Sequence, residues 1–111
     1  MMDASIYFPD WRELIRYAPA GPQTTILNEG RGYKALLAGL EAGGRIPPHP
    51  ERLGVDHVLE GTGSMVVDGV RYALSAGVTL IAPEGSSRGF EAETRLAFMA
   101  VRVGPEPGST P

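Results

Sequence analysis

The side chains that could do chemistry in this 111-residue chain are few, and their spacing assembles no complete reaction. Its two histidines are His49 and His57, with Glu51 between them, Asp56 beside the second and Glu60 just after. Imidazole and carboxylate groups suit a divalent ion, but such an ion takes three or four nitrogen or oxygen donors in its first shell. There is no cysteine, which excludes disulfides, thiolate metal sites and a cysteine nucleophile. Ser86 and Ser87 have no base positioned by sequence, so nucleophilic catalysis has little support. No pair of carboxylates has a spacing that suggests glycoside hydrolysis. No glycine-rich loop that could cradle phosphate opens a helix.

The elements that must position these residues are short strands. With 15 Gly and 10 Pro the chain carries more punctuation than a helical bundle tolerates. From Thr24 onward, apolar runs at 24–28, 33–40, 55–60, 64–67, 70–74, 79–82 and 95–103 alternate with turn residues. The stretch 28–32 reads as the first turn, and Phe90 to Ala92 as a partner of the closing strand 95–103. Asp68-Gly69 between two strands predicts a type I′ hairpin, because both central positions need positive φ. Residues 1–23 form an N-terminal arm, either a short helix opened by Pro9 or an edge strand, with Tyr7, Phe8 and Trp11 docking it. Residues 104–111 have almost nothing to bury and are expected to be disordered. The whole is an all-β single domain, a sandwich or small barrel over 24–103.

A formal net charge of −3 and a pI near 5.3 give no electrostatic reason to expect nucleic acid or an anionic membrane. No apolar run approaches the length of a bilayer span. The first residues lack the basic region and apolar stretch of a secretory signal, so a cytoplasmic location is expected.

Two segments, 44–61 and 77–92, have the length and punctuation of a pair of known motifs. Gly44, His49, Val58, Leu59, Glu60 and Gly61 fit the first, and Gly77, Pro83 and Gly85 fit the second. On these residues the chain resembles the cupin superfamily, the RmlC-like jelly rolls built as a double-stranded β-helix. The resemblance is best from Gly43 to Val103. It also implies a metal site in which this chain has lost most of the donors. The family's glutamate falls on Gly54, its first histidine on Pro47 and its second on His49. The histidine and asparagine of the second motif fall on Arg88 and Ala92. The matching glycines and proline set turns and a strand exit, so they speak for fold.

The resemblance also implies a register for the strand at 55–60. Polarity alone turns Val55, His57 and Leu59 inward, whereas the motif spacing turns Gly54, Asp56 and Val58 inward, and a one-residue slip exchanges the sets. We follow the motif. In that register His49, Asp56 and Arg88 converge near the family's metal position, with Phe90 as a cavity wall. Two readings stay open: Asp56 and Arg88 fill the place as an ion pair, or Arg88 anchors an acidic ligand with His49 as its partner. The outward Val55 and Leu59 then need cover, which a second subunit of a homodimer supplies. The expected function is binding of a small, possibly acidic, organic molecule, with no tightly bound metal and no nucleic-acid or membrane partner. One alternative is a metal-dependent dioxygenase or isomerase using His49 with Asp56 or His57. The other is a dimeric structural or regulatory module with a filled cavity.

Overall fold

The computed structural model describes residues 6–19 and 21–105. Nine strands follow one turn of 3-10 helix, Trp11–Glu13. They are β1 (Gln23–Gly30), β2 (Tyr33–Leu40), β3 (Arg45–Pro50), β4 (Leu53–Glu60), β5 (Gly63–Val67), β6 (Val70–Leu74), β7 (Thr79–Ala82), β8 (Ser87–Ala92) and β9 (Leu96–Val103). A five-stranded sheet runs β1-β2-β9-β4-β7 and a four-stranded sheet β3-β8-β5-β6, with every strand pair antiparallel. Face to face, they form the expected jelly roll.

The alternation of each strand decides what lies between the sheets. On β4, Gly54, Asp56 and Val58 are buried, the set that the motif register turns inward. Leu36, Leu40, Met65, Leu74, Phe90, Leu96 and Phe98 fill the interior around Val58. Each such side chain contributes about 1.5–3 kcal/mol through burial. Phe90 and Phe98 join the sheets directly, with stacked rings 4.5 Å apart. The β5–β6 turn carries Asp68 at φ 47° and Gly69 at φ 84°, the backbone that the Asp-Gly pair predicts.

Three local expectations need correction. Residues 28–30 belong to β1, so the hairpin turns at Arg31 and Gly32, and a bulge near Leu27 absorbs the irregularity. The run from Arg45 to Pro50, unassigned by its sequence, is a strand. Pro47 and Pro48 sit on the edge of the small sheet at a bulge, where a missing N–H costs no ladder bond. The third correction concerns β8, which does not pair with β9. It lies between β3 and β5, while β9 lies between β2 and β4 in the other sheet.

The N-terminal arm takes the helical option for one turn. Asp10, not Pro9, begins it: the Asp10 carboxylate accepts the Arg12 N–H at 3.1 Å. Beyond that turn the described residues of the arm make one isolated bridge, Ala18 to Leu40, in place of an edge strand. Ile15 is buried against Leu37 and Ala97 on the outer face of the five-stranded sheet, with Trp11, Leu14 and Leu59 around them. Phe8 and Trp11 share a surface hollow with Leu59 and Met99, whereas Tyr7 is exposed. The disorder expected of the tail falls mainly on 106–111, outside the described residues. No helix among the described residues is long and apolar enough to cross a membrane.

Candidate functional site

A cavity of about 220 Å³ opens between the sheets. Leu36, Ala38, Ile46, Phe90 and Phe98 form its apolar wall, and Lys34, His49, Glu51, Arg88 and Arg102 form its polar part. Strand register explains the grouping. Lys34 on β2 faces Arg102 on β9, which faces Gly54 on β4. On the other sheet Arg88 of β8 lies between His49 of β3 and Val67 of β5.

Arg88 is only 1% exposed. Its Nη2 donates to the backbone carbonyls of Arg52 at 2.6 Å, Pro83 at 3.0 Å and Glu51 at 3.3 Å, and to Ser86 Oγ at 3.2 Å. Ser86 Oγ in turn donates to the Pro83 carbonyl at 2.7 Å. One nitrogen of the guanidinium is thus clamped by the β3–β4 and β7–β8 connections. Its Nε and Nη1 are buried with no acceptor among the described residues. Leaving such donors unmade costs stability, more for charged groups than for neutral ones.

Gly54 makes room for this arrangement. A Cβ at that position would fall inside contact distance of Nη1 of both Arg88 and Arg102. The two guanidiniums therefore meet where the family's glutamate would stand. Arg102 Nη2 donates to Asp56 Oδ1 at 3.0 Å, and Asp56 Oδ2 has no partner among the described residues. Burial pushes the Asp56 carboxyl up, while the charge and hydrogen bond of Arg102 draw it partly back. Burial lowers the Arg88 guanidinium, and the Arg102 charge adds to that.

These contacts correct one expectation. Asp56 does not pair with Arg88; its partner is Arg102, delivered in register from β9. His49 stands at the cavity rim, about half exposed, with Nδ1–H donating to the Pro47 carbonyl at 3.0 Å and Nε2 3.8 Å from Glu51. Phe90 is 4% exposed and lines the wall. His57 faces away from the cavity, with Nδ1 2.7 Å from Thr79 Oγ1 on β7. Lys34 and Arg102 were not singled out from sequence. Alternation carried the signal, since each is the lone cation in an inward apolar series: Lys34, Leu36, Ala38 and Leu96, Phe98, Ala100, Arg102.

The residues present do not fit the metal that the motif resemblance implies. Two guanidiniums occupy the space where carboxylate and imidazole donors would be needed, and they repel a cation. Among the described residues, no group of three or more His, Asp or Glu side chains is arranged to hold an ion. The chemistry of the place is instead that of an anion receptor beside a hydrocarbon wall.

No protein-family model matches the sequence, and no curated protein aligns with it significantly. Solved structures do match. A conserved protein of unknown function from Streptococcus pyogenes superposes with a TM-score of 0.79 at 19% identity, covering 91% of this chain and 90% of that one. An RmlC-like cupin from Desulfovibrio desulfuricans gives 0.68 at 25% identity, covering 75% and 82%. A salicylate 1,2-dioxygenase variant from Pseudoaminobacter salicylatoxidans gives 0.67 at 21% identity, covering 75% of this chain and 26% of that one. The chain has the RmlC-like cupin fold, as its two motifs imply. A fold shared by an uncharacterised protein and a dioxygenase assigns no activity.

Proposed function

We propose that this domain binds a small anionic organic molecule inside its barrel, with Arg88 as the anchor and no resident metal ion. The observation that carries the reading is Arg88 itself: a buried guanidinium in the wall of an open cavity, with Nε and Nη1 unpartnered. A structural arginine would spend those donors on fixed acceptors, as its Nη2 does. An anion at this end of the cavity complements the charge that these donors leave uncompensated. Asp56 supports the site indirectly by holding Arg102, His49 borders the entrance, and Phe90 supplies wall. The open volume argues against a barrel filled by its own side chains.

Thermal unfolding with small organic anions and neutral analogues tests the reading. Anions are expected to raise the melting temperature of the parent and not of Arg88→Met, because stabilisation follows occupancy. Equal shifts in both proteins exclude Arg88 as the anchor. Elemental analysis of protein purified without chelators is expected to find transition metals far below stoichiometry. A near-stoichiometric ion lost in His49→Ala would favour the metal-dependent dioxygenase or isomerase reading.

The same reading includes a homodimer. The arm covers Leu59, but the other end of that outer face stays open, with Ile81 69%, Val103 42%, Tyr33 40% and Leu53 37% exposed. Tyr33, Val103 and Leu53 are in register across three strands, and Val101 and Val55 lead on to Ile81. A continuous apolar band of this kind fits a second copy packed about a two-fold axis. Light scattering at micromolar concentration is expected to give twice the chain mass, reduced to the monomer by Ile81→Glu.

A further inference from the structure

The charged and apolar linings of the cavity are arranged along the strands in order. Lys34 and Arg102 form a cross-strand pair on the five-stranded sheet, and Arg88 faces them from the other sheet. The next inward residue after Arg88 is Phe90, and Ala100 and Phe98 follow Arg102. Two residues of strand span about 7 Å. One small molecule can therefore touch the cations with its head and the stacked Phe90–Phe98 pair with its body.

The charges at the polar end do not cancel. Lys34, Arg88 and Arg102 stand against Glu51 in the lining and Asp56 behind it, which leaves a single positive charge. We infer that the ligand is a small monocarboxylate with an apolar ring or short hydrocarbon body, its carboxylate lying at the end of the cavity lined by Lys34, Arg88 and Arg102. The inference rests on the anion-binding reading above and narrows it. A phosphate dianion or a dicarboxylate brings a second negative charge that this lining does not balance. A neutral amide of the same shape brings no charge to the cationic end.

Calorimetric titration at neutral pH tests the class, with benzoate, hexanoate, phthalate, phenyl phosphate and benzamide as probes. Benzoate or hexanoate is expected to bind more tightly than either dianion by roughly tenfold, the ratio that one poorly compensated charge gives. Benzamide is expected to give no heat. Glu51→Gln removes a negative charge at the rim without entering the core, and is expected to move the preference toward phenyl phosphate. A parent that prefers dianions, or an unchanged preference in Glu51→Gln, overturns the monocarboxylate and leaves anion binding standing. Silence from all four anions overturns both readings. Benzoate heat that persists in Arg88→Met and Arg102→Met puts the anion elsewhere and also overturns the inference.

Discussion

The barrel interior has two ends built from different chemistry on the same strands. At one end Leu40, Leu74, Ala92 and Leu96 close against one another, almost fully buried. At the other, the same sheets present Lys34, Arg88 and Arg102 around an opening. Every inward position at the closed end is explained by burial. The open end buries a guanidinium with two idle donors and a carboxylate with one idle oxygen, which burial alone opposes. A chain selected only for stability would place hydrocarbon there too, since hydrophobic replacement of buried charge is often neutral or stabilising. The difference separates residues that hold the fold from residues retained for an occupant.

Truncation at each end should break this comparison most visibly. Phe98→Ala removes a ring 2% exposed from the centre of the core, and also the face stacked on Phe90. It is expected to cost about 3–5 kcal/mol in denaturant unfolding. Arg88→Met keeps much of the side-chain volume but strips the donor from the Arg52, Pro83 and Glu51 carbonyls, at about 1–3 kcal/mol. The informative contrast is in binding: Arg88→Met should lose the anion-induced rise in melting temperature entirely. A loss above that of Phe98→Ala, with ligand response intact, would make Arg88 a fold residue and collapse the distinction between the ends.

Gly54→Ala probes the boundary between them. The added methyl enters the space shared by two guanidinium Nη1 atoms, and relief requires both side chains to shift. Overpacking of this kind costs about 1–3 kcal/mol. Anion affinity should fall in the same variant, because two of the cations that line the cavity must move. A Gly54→Ala protein with parental stability and affinity would show that the guanidiniums do not converge there in solution.

How much of this was legible in the sequence follows the same division. Turn chemistry is local, so Asp68-Gly69 gave its hairpin directly, and motif spacing placed Gly54 and Asp56 inside against the polarity of the strand. Two prolines hid β3, because propensity speaks of the backbone donor and not of whether an edge needs one. The pairing of β8 depended on topology: residues 90–92 and 95–103 are neighbours in sequence and lie in different sheets. The Asp56 partner was missed for the same reason. Arg88 and Arg102 are equally plausible cations from sequence, and only the β4–β9 register brings Arg102 to the carboxylate at hydrogen-bonding distance. Arg88 was legible as an inward residue because a motif position stood in for the missing topology.

The smallest expected effect tests the balance of forces on Asp56. Burial raises its carboxyl more than Arg102 lowers it, so the folded chain holds the proton more tightly than the unfolded chain does. The folded state then binds more protons, and stability from this group falls as pH rises. That contribution is fully present below the ordinary carboxylate range and is lost as pH climbs through the raised value. Asp56→Asn has no such proton, so the stability of the parent minus that of the variant should decline from acid toward neutral pH. The difference cancels the other carboxylates, which titrate alike in both proteins. A difference that grows with pH would mean that the 3.0 Å bond to Arg102 outweighs burial. The open end would then be held together by a favourable ion pair, and its idle donors would no longer set it apart from the closed end.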